Sequence, residues 1–313
     1  MKIVLFEDLG VSQEIIEKHR KKLLDLGHTF IQFEKSQDID EQIKRISGAD
    51  VLMLANMKID KKVLEKADSL KYINIAFTGV DHVPVDYAKS RNIDISNASG
   101  YSNDSVAELC ICFMLQLLRN VGKVEEKCRN NLTKDGLIGS TLKGKTVGII
   151  GGGKIGSQVA KLAKCFGANI VLYSRTKKDN SIFDEQLDLE KLLKVSDIVS
   201  LHCPLNKETE NLISHNELSK MKPTAYLVNT ARGNVVNKEA LSYALKNGVI
   251  SGAAIDVFDI EPPLPCDHIL LNTPNLIVTP HIAFATKESL ELRAEIVFDN
   301  LYSWLDGEVK NRI

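Results

Sequence analysis

Residues 146–176, "TVGIIGGGKIGSQVAKLAKCFGANIVLYSRT", decide the fold. Thr146 to Ile150 form an apolar, β-branched run that reads as a buried strand. Gly151, Gly153 and Gly156 follow as G-x-G-x-x-G, then a helical stretch, then a second apolar strand, "NIVLYS". A glycine-rich turn between a strand and a helix lets the backbone approach a pyrophosphate. The phosphates then meet the helix N–H groups that begin near Lys154 and Ile155. In an NAD site the second strand ends on an acidic residue that grips the adenosine ribose. Here it ends on Ser174, Arg175 and Thr176, with Lys177 and Lys178 behind them. Ser174 cannot repel a ribose 2′-phosphate, and Arg175 can pair with one. The expected cofactor is therefore NADP(H) in preference, with NAD(H) possible.

Working outward, short apolar strands alternate with amphipathic helices along the whole chain. The first hundred residues hold "KIVLFE", "TFIQFE", "VLMLAN", "YINIAF" and "DISNAS". From residue 146 onward come "TVGIIG", "NIVLYS", "IVSLHC", "AYLVNT", "GAAIDVF" and "NLIVTP". This alternation predicts an α/β fold with two parallel sheets, each covered by helices on both faces. The six later strands match one dinucleotide-binding sheet, and the five earlier ones need a smaller sheet of their own. Between the groups, "SNDSVAELCICFMLQLLRNVGKVEEKC" (residues 102–128) predicts one long buried helix, capped by Ser102 or Asn103. A last helix over 286–305 is expected to cross back to the first domain.

Three strand tails carry the chemistry. "AYLVNT" runs into Arg232, "GAAIDVF" into Glu261, and "NLIVTP" into His281. In a parallel sheet these tails leave from the carboxyl edge, which also bears the glycine-rich turn. An Arg fork holds a carboxylate or polarises a carbonyl. A His paired with a Glu can deliver a proton as hydride arrives. Together they suit reduction of a 2-oxo acid to a 2-hydroxy acid.

Composition narrows the partners. Among 313 residues, 40 Lys and Arg face 41 Asp and Glu, so no net field draws the chain to nucleic acid or anionic lipid. No apolar run reaches the length of a membrane span, and "MKIVLFEDLG" is too short and too soon acidic for a signal peptide. The six Cys contain no C-x-x-C and read as buried thiols of a cytoplasmic protein. No metal site is expected.

On these residues the chain resembles the D-isomer-specific 2-hydroxyacid dehydrogenases over essentially its whole length. The resemblance rests on "GYSNDSVAEL", "GKTVGIIGGGKIGSQVA", "SDIVSLHCPLNKETENLI", "MKPTAYLVNTARGNVVN", "AAIDVFDIEPP" and "TPHIAFAT". It implies a Rossmann dinucleotide-binding domain (100–284) inserted into a smaller flavodoxin-like substrate domain (1–99 plus 285–313), both doubly wound parallel sheets. It also implies that Arg232 binds substrate, that His281 and Glu261 form the acid–base pair, and that Asp256 supports the cofactor side. His202, Cys203, Pro204, Thr209, Thr230, Ala231 and Ala283 fall in the matching stretches as further cofactor contacts. "AFTGVDHV" matches the turn whose N–H groups hold the substrate carboxylate, which assigns Thr78 and Gly79 to substrate. His82 in that turn reads as structural. Phe77, Asn56, Met57 and Phe284 are readable as pocket lining or as ordinary packing.

The expected activity is NAD(P)-dependent reduction of a glyoxylate- or hydroxypyruvate-like acid by a homodimer. Formate dehydrogenases resemble the chain too, but they pair their His with Gln, unlike Glu261. Many phosphoglycerate dehydrogenases carry a regulatory extension beyond the last helix. The C-terminal-binding-protein corepressors, which are dinucleotide-binding scaffolds, remain an alternative of another class.

Overall fold

The computed structural model describes residues 1–178 and 181–313. The chain divides into two compact units, Met1–Ser102 with Ala285–Ile313, and Asn103–Phe284.

In the first unit, strands β1 (Lys2–Leu5), β2 (Thr29–Gln32), β3 (Val51–Leu54), β4 (Tyr72–Ile75) and β5 (Asp94–Asn97) alternate with helices α1 (Gln13–Asp25), α2 (Ile39–Ile46), α3 (Lys61–Glu65) and α4 (Val85–Ser90). All five strands are parallel, in the order β2-β1-β3-β4-β5, the flavodoxin arrangement. Every residue of β3 and β4 is buried, as expected of central strands covered on both faces.

The second unit opens with α5 (Asn103–Arg119) and α6 (Val121–Arg129). It continues as β6 (Thr146–Ile150), α7 (Lys154–Cys165), β7 (Asn169–Tyr173), β8 (Glu185–Gln186), α8 (Leu189–Val195), β9 (Ile198–Leu201), α9 (His215–Lys220), β10 (Tyr226–Asn229), α10 (Lys238–Lys246), β11 (Gly252–Ile255) and β12 (Leu276–Val278). Its parallel sheet runs β12-β11-β10-β9-β6-β7-β8, the dinucleotide-binding order with one further strand at the β12 edge. Residues alternate between the two faces. Val147, Ile149, Ile170 and Leu172 pack with α5 and α7, while Ile150, Val171, Leu201 and Leu227 pack with α8, α9 and α10. The chain then returns to the first unit as α11 (Lys287–Leu305). There the Asn74 Nδ2 donates to the Val297 carbonyl at 2.7 Å, and Trp304 stacks on Tyr72 at 4.8 Å.

Three sequence expectations need correction. Among the described residues the second sheet has seven strands rather than six, because the two-residue β8 carries too little apolar pattern to read as a strand. The helix expected over 102–128 is two helices bent by 59°. Asn120 takes a left-handed φ of 52°, and the Ser140 N–H donates at 2.8 Å to the Leu118 carbonyl, an acceptor a continuing helix would use itself. Lastly, only Cys110 is fully buried. Cys112, Cys128, Cys165 and Cys266 are exposed, since they lie on the outer side of α5, in the last turns of α6 and α7, and in a loop. All six thiols are free.

Candidate active site

Register across the second sheet aligns the strand ends. Tyr173, Ile150, Leu201, Asn229, Ile255 and Val278 form one lateral row. The residues that follow them, Ser174, Gly151, His202, Thr230, Asp256 and Thr279, therefore leave from a single edge. Parallel sheets gather their ligands at this edge because every loop there is a strand-to-helix loop.

The glycine-rich turn fits a dinucleotide. A Cβ on Gly151, whose φ is +104°, would lie 2.6 Å from the His202 backbone. One on Gly156 would lie 2.1 Å from the Gly151 carbonyl oxygen. Gly153 differs, for a Cβ there would meet nothing within 4 Å. Two glycines thus permit the tight turn and the close helix–strand packing, and the third leaves the backbone open to a ligand. The helix begins at Lys154 with Ile155 next, so its first N–H groups face that opening.

His202 follows β9 and bonds to Ser200 Oγ through Nε2 at 2.8 Å. Burial pushes its pKa down to about 3, so it stays neutral. Burial acts the other way on the neighbouring Cys203 thiol, pushing its pKa up to about 11, which makes it a poor nucleophile. Thr230 is buried and its hydroxyl lies 3.1 Å from the Cys110 sulfur. The Thr209 hydroxyl donates to the Pro204 carbonyl at 2.6 Å, closing the loop after β9.

At the end of β10, Asn229 holds the turn that bears Arg232. Its side chain accepts from the Ala231 N–H at 3.0 Å and donates to the Arg232 carbonyl at 3.0 Å. The half-buried Arg232 guanidinium donates to the Ala231 carbonyl at 2.7 Å. Gly233 packs against the chain that leads from β11 to Glu261. A Cβ on it would fall 1.9 Å from the Phe258 carbonyl carbon. Backbone cannot yield as a side chain can, so Gly233→Ala should destabilise the second unit by about 1–3 kcal/mol or more. A thermal melt unchanged from wild type would contradict that contact.

His281 and Glu261 meet. The imidazole Nδ1 lies 2.9 and 3.1 Å from the two carboxylate oxygens. The His side chain is 11% exposed and the Glu side chain 60%. His281 is held in the left-handed region at φ 57°, where few non-glycine residues sit. Its N–H donates to the carbonyls of Asp256 and Thr279, at 2.8 and 3.0 Å. Beneath it, the fully buried Asp256 carboxylate accepts from Thr279 Oγ1 at 2.5 Å and from the Ile282 and Ala283 N–H groups at 2.8 Å each. Burial raises the Asp256 pKa against these bonds. All three of these donors belong to the segment that carries His281, so this acid fixes the histidine's loop. The Phe284 ring meets the His281 ring edge-on at 5.3 Å.

The Glu261 segment has its own anchor. Asp259 bonds to Lys238 Nζ at 2.5 Å and to His268 Nε2 at 2.8 Å. Sequence reasoning missed Asn229, Thr279 and Asp259. The available signal was a polar residue ending an apolar strand, as in "AYLVN" and "NLIVT".

Around the ribose end, Ser174 is half-buried, and Arg175, Thr176, Lys177 and Lys178 are exposed. Arg175 pairs with Glu208 at 3.1 Å. In the first unit, Thr78 and Gly79 follow β4, and Asn97 Nδ2 donates to the Thr78 carbonyl at 2.8 Å. The Thr78 hydroxyl has no hydrogen-bond partner among the described residues. Phe77 and Met57 are core residues, 6% and 0% exposed, and Asn56 accepts from Lys35. His82 packs edge-on against Phe77. No group of His, Cys, Asp or Glu among the described residues is arranged to hold a metal ion. No single helix among them is long and apolar enough to cross a membrane.

Residues 111–283 match the family model of the "D-isomer specific 2-hydroxyacid dehydrogenase, NAD binding domain". A glyoxylate reductase of Thermococcus litoralis is 40% identical over 279 residues, 85% of this chain and 84% of its own. A hydroxypyruvate reductase of Thermotoga maritima is 38% identical over 255 residues, 80% and 83% of the two chains. Among solved structures, an acyclic imino acid reductase in complex with NADPH and D-arginine superposes with a TM-score of 0.92, at 30% identity and with all of both chains covered. By the family match and by this shared length, the chain belongs to the D-isomer specific 2-hydroxyacid dehydrogenases.

Proposed function

We propose that this enzyme reduces small 2-oxo acids of the glyoxylate and hydroxypyruvate kind to D-2-hydroxy acids, with His281 as proton donor, Glu261 as its partner and Arg232 as the substrate clamp. The observation that carries the reading is the His281–Glu261 pair, joined at 2.9 Å on the edge that bears the glycine-rich turn. A reduced nicotinamide, when bound, supplies the hydride. The carbonyl oxygen gains negative charge as hydride reaches its carbon, and a cation beside it lowers the barrier. The Arg232 fork holds the carboxylate and polarises the carbonyl. With His281 Nδ1 engaged by the Glu261 carboxylate, the ring is oriented so that Nε2 gives its proton to the forming alkoxide. Thr78 and Gly79 hold the substrate carboxylate through the N–H groups of their turn.

Gly151, Gly153, Lys154, Ile155 and Gly156 would hold the pyrophosphate. Ser174, Arg175 and Thr176 would hold the ribose end, with His202, Cys203, Pro204, Thr209, Thr230, Ala231, Asp256 and Ala283 along the remainder. The names of the two reductase relatives support the substrate class. The enzyme acts as a homodimer in the cytoplasm. Exposed Val121, Leu132 and Ile138 support a second copy, and four exposed free thiols suit a reducing compartment.

The test is turnover of glyoxylate, hydroxypyruvate and larger 2-oxo acids with each reduced cofactor. Turnover of the small acids is expected. Dinucleotide binding without turnover of any of them would make the chain a scaffold instead.

Two further outcomes are expected. Glu261→Gln removes the carboxylate that holds the His281 ring through Nδ1, so kcat for reduction should fall about tenfold or more while cofactor still binds. An unchanged kcat removes Glu261 from this role. NADPH is the preferred cofactor, because Ser174 does not repel a 2′-phosphate and Arg175 binds it. The NADPH-bound imino acid reductase supports that choice. The wild type should favour NADPH by about tenfold in kcat/KM, and the Ser174→Asp, Arg175→Ala double variant should favour NADH. A wild type that prefers NADH refutes the assignment.

A further inference from the structure

Arg175 does not stand alone. Its Nη1 lies 3.1 Å from the Glu208 carboxylate, and both side chains are open to solvent, 79% and 69% exposed. The pair joins two pinned loops. On one side, Gln186 Nε2 donates to the carbonyls of Ser174 and Thr176, at 3.0 and 3.2 Å, and its Oε1 accepts from the Lys178 N–H at 3.0 Å. These bonds hold the backbone on both sides of Arg175. On the other side, the Asn206 side-chain Oδ1 accepts from the N–H groups of Glu208 and Thr209, at 2.9 and 3.1 Å. The Asn206 N–H in turn donates to the Thr209 hydroxyl at 2.9 Å. The tail after β7 also folds back over the glycine-rich turn. Lys178 Cγ lies 3.4 Å from where a Gly152 Cβ would stand.

We infer that Glu208 is a specificity-determining residue that competes with a ribose 2′-phosphate for Arg175 and so limits the preference for NADPH over NADH. The inference rests on the reading of Arg175 as the phosphate-binding group. An exposed ion pair is weak, so a phosphate with nearly two charges displaces the carboxylate from the guanidinium. The displaced carboxylate cannot leave the neighbourhood, because its loop is fixed, and it repels the phosphate that replaced it. Lys177 and Lys178 offset part of that repulsion. NADH brings no ribose 2′-phosphate, leaves the pair intact and is indifferent to Glu208.

The test is direct binding of NADPH and NADH, followed by nicotinamide fluorescence, in wild type, Glu208→Gln, Arg175→Ala and the double variant at low salt. Glu208→Gln should tighten NADPH about two- to fivefold and leave NADH unchanged. Arg175→Ala should weaken NADPH about tenfold, and Glu208→Gln should add nothing in that background. If Arg175→Ala weakens NADPH but Glu208→Gln has no effect on it, the inference is overturned and the reading of Arg175 stands. If Arg175→Ala leaves NADPH binding unchanged, both fall.

Discussion

His281→Asn should lower kcat for 2-oxo acid reduction by about 10²–10⁴ while the dinucleotide still binds. Asn is the cleaner replacement because His281 sits at φ 57°, a left-handed conformation that Asn tolerates and Ala does not. Its N–H can still donate to the Asp256 and Thr279 carbonyls, so the loop below keeps its bonds. What would disappear is the proton donor proposed for the alkoxide. Binding of cofactor should persist, since the glycine-rich turn is built by β6 and α7 and shares none of these contacts. Turnover near the wild-type value would remove His281 from the chemistry. His281→Ala should be worse than Asn in stability as well as in rate, and a thermal melt separates the two effects.

Arg232→Lys is expected to cost about tenfold to more than a hundredfold in kcat/KM for the 2-oxo acid, with kcat falling and KM rising. Lysine keeps the charge but offers a point where the guanidinium offers a planar fork. The turn itself should survive. Asn229 holds it through the Ala231 N–H and the Arg232 carbonyl, both of them backbone groups. A loss of rate with an unchanged melting temperature is thus the expected signature. An unchanged kcat/KM would mean that the substrate is held elsewhere.

Much of this was legible in the residues. Both parallel sheets follow from the alternation of apolar strands with amphipathic helices, and the dinucleotide order of the second follows from the glycine-rich turn after its first strand. His281 and Glu261 were readable as neighbours because each ends a strand tail at one edge, and the structure joins them at 2.9 Å. What escaped reading depends on contacts between distant segments. The break at Asn120 needs Ser140 to return to the Leu118 carbonyl, which no local pattern announces. Strand β8 has two exposed residues and exists because Val171 and Leu172 pair with it. Asn229, Thr279 and Asp259 act through bonds to segments separated from them by turns, so their chemistry appears only once those turns are folded. The exposed cysteines show the limit of composition, which counts thiols but does not say which side of a helix they occupy.

The family reduces or oxidises one enantiomer, and the proposed site explains how a single face is chosen. In that proposal Arg232 would fix the carboxylate and His281 the carbonyl oxygen, which would leave one face of the carbonyl open to a bound reduced nicotinamide. The most direct test is therefore the chirality of the glycerate formed from hydroxypyruvate by the wild-type enzyme with NADPH. The account predicts D-glycerate alone. L-glycerate, a racemic product, or no glycerate at all from enzyme with dinucleotide bound would contradict it.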